Sequence, residues 1–122
     1  MQVKEINLKR FKGSTSAIFA GRPQGVLARS ELQLDEIDRN SDLEVVFIIP
    51  DDTTSFNPSF YLGFLFGSYK KLGVNGFANK YKFKIETSDI SIQKVIESNL
   101  EDGERNAINA LNKKTALSEA LL

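Results

Sequence analysis

The chain has 122 residues with sixteen basic and sixteen acidic side chains, so one domain with a single core is expected, and no overall field draws it to nucleic acid or an anionic membrane. It contains neither cysteine nor histidine. Disulfides, thiolate and imidazole zinc sites, the Ser-His-Asp and Cys-His arrangements, and the commonest general base near neutral pH are thereby excluded.

Val3, Ile6, Leu8 and Phe11 are interleaved with polar residues and predict a first strand. Lys12-Gly13 interrupts it, and the β-prone stretch from Thr15 to Ala20 predicts a second, the two forming an opening hairpin. From Gly21 to Asp38, Val26, Leu27, Leu34 and Ile37 fit a short helix with Pro23 in its first turn, ending before Asn40-Ser41. Leu32 and Leu34 sit awkwardly for a single face.

Val45 to Ile49 is an unbroken β-branched and aromatic run, the pattern of a central strand covered on both faces. Pro50-Asp51-Asp52 ends it. Asn57-Pro58 then supplies an N-cap and a first-turn proline, and Gly73 a C-cap, so Pro58 to Leu72 is expected to be helical. Tyr81, Phe83 and Ile85 alternate with charged residues as in a half-buried strand. Ser88 or Asp89 caps a helix bearing Ile92, Val95, Ile96 and Leu100, which Gly103 is expected to break. The order β-β-α-β-α-β-α predicts an α/β fold with a mixed sheet, as one domain over 1–103 and a helical or frayed tail over 104–122 that still carries Ile108, Leu111 and Leu117 at helical spacing.

The most apolar run, Phe60 to Phe66, falls far short of the ~20 residues that span a bilayer, and Lys4, Glu5, Lys9 and Arg10 leave no apolar signal core near the start. A soluble, cytoplasmic protein is expected.

The Pro58 to Leu72 segment is apolar nearly all round, so a face not used by the sheet is covered either by neighbouring helices or by a partner, a second copy included. Gly63 and Gly67 share one face and mark a close approach of backbone to the sheet or to a partner. Ser59 lies in the first turn, where the helix dipole favours negative charge. Arg22 and Arg29, around a Gly-Arg-Pro-Gln-Gly corner, are candidates to receive an anion, although no phosphate-loop or dinucleotide pattern is present. Asp51 and Asp52 follow the central strand, where open α/β sheets place ligands, but supply no third metal ligand. No cofactor or metal is expected.

Phe19-Ala20-Gly21-Arg22, then Gly25 and Arg29, a buried strand, and Ser59-Phe60-Tyr61-Leu62-Gly63-Phe64-Leu65-Phe66-Gly67 together resemble the STAS-like domain-of-unknown-function family, bacterial proteins related in fold to anti-sigma-factor antagonists. The resemblance runs from Ile18 to Phe83. It implies a STAS-like sheet with helices packed on it, and a non-catalytic regulatory role played through a protein partner, an ATPase of the histidine-kinase-like fold. In STAS proteins an Asp-Ser-Ser-Gly turn carries a serine phosphorylated by that partner. Asn57-Pro58-Ser59-Phe60 takes its place here, so Ser59 matches the phosphorylated serine, and Asn57, Ser59, Phe60 and Tyr61 become the expected partner contacts. The competing reading is a small-ligand or nucleotide-binding protein that uses Arg22, Arg29, Asp51 and Asp52.

Overall fold

The apolar run Val45 to Ile49 lies in the middle strand of a three-stranded parallel sheet. This computed structural model describes residues 2–12 and 17–120, with side chains as far as Lys113. Gly13 of the expected break, Thr15 and Ser16 of the expected second strand, and the Leu117 side chain lie outside the described residues. In chain order the elements are β1 (Gln2–Asn7), a 3-10 turn (Lys9–Phe11), β2 (Ile18–Phe19), α1 (Arg22–Glu31), α2 (Leu34–Arg39), β3 (Leu43–Ile49), β4 (Ser55–Phe56), α3 (Pro58–Lys80), β5 (Tyr81–Ile85) and α4 (Ile90–Ala120).

The fold is α/β, with two parallel sheets in place of one mixed sheet opened by a hairpin. β1 pairs with β3, β3 with β5, and β2 with β4, all parallel. Parallel neighbours need long crossovers, and α1 with α2, then α3, supply them. β2 leaves β1 because its apolar side chain has a better partner: the Phe19 ring packs 4.9 Å from Phe56 and 5.3 Å from Phe60.

The main sheet runs β1-β3-β5, always stepping in one direction. With right-handed crossovers, that order sends both connections to the same side. Burial agrees, since Val45, Phe47 and Ile49 are buried while Val46 and Ile48 are only half-buried. Phe47 centres the core, with ring centroids 5.0 Å from Phe64, 5.4 Å from Tyr81 and 5.5 Å from Phe83. The expectation of a central strand holds, but helices cover only one of its faces.

The single helix expected from Gly21 to Asp38 is two. Gln33 adopts a left-handed conformation, φ 54°, and rephases the chain so that Leu34 and Ile37 turn inward on α2. α3 starts as the sequence predicts, and its first segment stops at Gly73, where φ is 74° and ψ 173°, before a second helical segment reaches Lys80. α4 is capped by Asp89, whose Oδ1 accepts from the backbone N–H groups of Ser91 and Ile92. It passes straight through Gly103, which is buried because a Cβ there would come within 2.4 Å of the Tyr61 ring. That glycine makes room for an aromatic ring and does not end the helix.

Candidate functional site

The first turn of α3 is held from three sides. Asn57 Oδ1 accepts from the Ser59 N–H at 2.7 Å, the Asn57 N–H donates to the Phe19 carbonyl at 2.9 Å, and the Phe56 N–H donates to Asn99 Oδ1 of α4 at 2.9 Å. Ser59 is exposed on this turn and Pro58 half-exposed. Because Pro58 has no N–H and the Ser59 N–H is taken by Asn57, the turn offers an anion the helix dipole and few donors. Phe60 and Tyr61, expected as partner contacts, are buried. The Phe60 ring sits among Phe19, Phe56 and Phe64, and Tyr61 OH shares a 2.6 Å hydrogen bond with Tyr69 OH. Both belong to the core, which corrects the expectation that they face a partner.

One face of α3 is covered by α1 at very short range. A Cβ on Gly25 would lie 2.2 Å from the Phe60 carbonyl oxygen, and a Cβ on Gly63 would lie 2.2 Å from that of Arg22. The opposite side of α3 meets α4 through Tyr61 and Gly103. The nearly all-apolar helix is therefore covered by its own neighbours, and the Gly63 approach is to α1.

That crossing lies one turn from Ser59. Ser59 precedes Gly63 by one turn on the same face of α3, and Gly63 abuts Arg22 and Val26. On α1, Pro23, Val26, Leu27 and Ser30 share a stripe by helical spacing. All four are exposed, Val26 by 53% and Leu27 by 56%. The stripe borders an open groove of about 740 Å³ lined by Val26, Arg29, Ser30, Gln33, Asp35 and Glu36. The left-handed Gln33 that separates α1 from α2 forms part of its wall.

The two candidate anion-binding arginines part company. Arg22 is exposed at the start of α1. Arg29 is consumed by the fold: Nη1 donates to the Phe64 carbonyl at 3.1 Å and Ser68 Oγ at 2.8 Å, and Nη2 to Asp35 and Asp38, each at 2.8 Å. Asp38, whose side chain is fully buried, also accepts from Ser68 Oγ and from the Tyr81 hydroxyl. Lys80 closes the same region by donating to the carbonyls of Asn40 at 2.5 Å and Leu43 at 2.8 Å. Burial lowers the Lys80 pKa and raises that of Tyr81, while the Arg29 hydrogen bond holds Asp35 below the usual carboxylate range. This network joins α1, α2, α3 and β5. Nothing in the spacing of the sequence pointed to Asp38 or Ser68; only the burial of two such residues against an arginine reveals them.

At the carboxyl end of the main sheet, Asp51 and Asp52 are exposed. Lys12 Nζ donates to Asp52 Oδ2 at 2.9 Å, and that hydrogen bond lowers the Asp52 pKa. Ligands of open α/β sheets bind where the strand order reverses, and β1-β3-β5 has no reversal. Among the described residues, no group of three or more acidic side chains could hold a metal ion, and no helix is long and apolar enough to cross a membrane.

No family model, curated protein or solved structure matches the chain.

Proposed function

We propose that this chain is a non-catalytic protein-binding regulatory module that docks its partner on the outer face of α1 and the first turn of α3. The observation that carries this reading is the exposed stripe of Pro23, Val26 and Leu27 on α1, together with the capped, exposed Ser59 that opens the helix α1 crosses. Adjacent exposed apolar residues on a helix already packed on its other face are the usual means of engaging another protein. The contacts are Asn57, Ser59, Val26 and Leu27, with Arg22 at the edge. Phe60 and Tyr61 serve only to hold the turn in place.

The STAS-like resemblance supplies the class of partner, an ATPase of the histidine-kinase-like fold, and the role of Ser59 as the position whose charge sets the affinity. A phosphate on Ser59 gains from the dipole of α3 but must lose water when an apolar surface closes over it. Phosphorylation therefore releases the partner. The absence of histidine and cysteine is the sequence motive for a module without catalysis of its own.

A thermal-shift screen with nucleotides and divalent metals separates this reading from the ligand-binding one. A ligand at 100 times its dissociation constant stabilises the fold by about 2.7 kcal/mol. The docking reading predicts no shift with nucleotides or metals and a shift with the purified partner. A saturable nucleotide shift abolished by Arg22→Ala or Asp52→Ala would replace it.

A further inference from the structure

The side of the main sheet away from the helices is bare among the described residues, and its charges are arranged to complement a second copy of the same face. Val46 and Ile48 of β3 form its centre, both half-buried. Across them the register is fixed. Glu5 stands beside Val46, and Val46 beside Lys82; Asn7 stands beside Ile48, and Ile48 beside Lys84. Each row therefore runs from an acidic or neutral residue on β1, through an aliphatic residue on β3, to a lysine on β5. Glu5, Asn7, Lys82 and Lys84 are all exposed, as is Val3, by 60%; the Lys82 ammonium donates one of its three N–H groups to the Ala78 carbonyl and keeps two for another acceptor.

We propose that two copies of the chain associate through this face, stacking sheet on sheet about a twofold axis that runs parallel to the strands. Such an axis exchanges left and right across the sheet but keeps the level along it. β1 of one copy then lies over β5 of the other, so Glu5 meets the second copy's Lys82, Asn7 meets its Lys84, and the Val46 and Ile48 stripes meet each other. The alternative twofold, perpendicular to the strands, lays β1 over β1 and β5 over β5, opposing lysine to lysine. The charges thus select one arrangement, and it is isologous. The same axis brings the half-buried Glu44, at the amino end of β3, level with the second copy's Glu44, one like-charge contact at the rim against two Glu5–Lys82 attractions.

Two physical arguments favour an occupied face. All-parallel sheets occur almost only with both sides covered, and this one has helices on a single side. Aliphatic residues at the middle of an open sheet are stabilised only when something closes over them. Strands spaced ~4.8 Å apart and about 20 Å long present roughly 300 Å² of flat face per copy, against the ~800 Å² per partner of a standard stable interface. The dimer is accordingly a weak one that forms with rising concentration and is weakened by salt, because its charged pairs sit at the rim.

Sedimentation equilibrium across a concentration series tests it. Wild type is expected to rise from the 13.6 kDa monomer toward twice that mass at low ionic strength. Glu5→Lys alone and Lys82→Glu alone place like charges opposite each other and should each stay monomeric. An equimolar mixture of the two single variants should associate, since both cross-pairs are then attractive, and the double variant Glu5→Lys/Lys82→Glu should regain self-association. Both positions are exposed, and circular dichroism checks that each variant is folded. A wild type that stays monomeric throughout, or a dimer indifferent to the single reversals, overturns the proposal. A dimer that uses α1 instead would respond to Leu27→Asp and not to Glu5→Lys. This surface is independent of the Ser59 docking site, so failure of either leaves the other standing.

Discussion

Gly25 of α1 and Gly63 of α3 face each other's backbones where the two helices cross, each leaving only 2.2 Å between a would-be Cβ and a carbonyl oxygen of the other helix. The atoms in the way are main chain and cannot rotate aside. Gly63→Ala must push α1 outward, and Gly25→Ala must do the same from the other side. Each is expected to cost about 1–3 kcal/mol, read as a lower denaturation midpoint with an unchanged denaturant slope. Because both act on one interface, the double variant should cost less than the sum of the two.

The Arg29–Asp38 pair is expected to dominate the polar contribution to stability. Asp38→Ala leaves a guanidinium that is only 14% exposed without its buried counter-charge, and breaking such pairs costs about 3–5 kcal/mol. Asp35→Ala removes a carboxylate on the same guanidinium that is 74% exposed, and should cost under about 1 kcal/mol. Chemical denaturation of the two variants side by side checks the contrast. Equal losses would mean that Arg29 is held by its carbonyl and hydroxyl contacts and not by charge.

All three tyrosines are buried. Burial lifts the Tyr69 pKa to about 12 and raises Tyr61 and Tyr81 as well, the last also through its hydrogen bond to Asp38. The unfolded chain ionises its tyrosines near pH 10. Each raised pKa thus contributes stability that is complete below pH 10 and is lost as pH climbs toward and past 12. Phenolate absorbance and loss of circular dichroism should therefore appear together in one alkaline transition. Phenolate formed at pH 10 in a protein that keeps its dichroism would contradict the burial of these side chains.

Much of this architecture was legible where a local rule decides the outcome. Val45 to Ile49 read as a central strand because five β-branched or aromatic residues in a row favour a buried strand over a helix. Asn57-Pro58 marked the start of α3 and Gly73 the end of its first segment, since cap chemistry is local. The pairing of β1 and β2 was not legible, because the choice between a hairpin and two parallel ladders rests on what Phe19 meets some forty residues later. Gly103 misled for a related reason: a glycine in a helix signals a break unless a ring from elsewhere, here Tyr61, requires the space.

Asn57 as the cap of α3, with Ser59 in its first turn, was readable from capping chemistry. The burial of Phe60 and Tyr61 and the pairing of Arg29 were not, because each depends on α1 lying directly against α3. In the sequence, Val26 and Leu27 are apolar positions of a single helix from Gly21 to Asp38. In α1 the close packing of Gly25 on α3 makes Gly25 and Ala28 the buried face, and Val26 and Leu27 turn outward.

The docking account is tested most directly by titrating the proposed partner, an ATPase of the histidine-kinase-like fold recovered by co-purification with the chain, against wild type, Ser59→Ala, Ser59→Asp and Leu27→Asp, with a melting temperature for each. Ser59 and Leu27 are exposed, and a first-turn acid is favoured by the helix dipole by about 0.3–1 kcal/mol, so all four proteins should melt alike. Ser59→Ala is expected to bind as wild type does, whereas Ser59→Asp and Leu27→Asp should each weaken binding tenfold or more, on the order of the 1.4 kcal/mol that a tenfold change represents. Unchanged affinity in both aspartate variants would contradict docking on α1 and the first turn of α3.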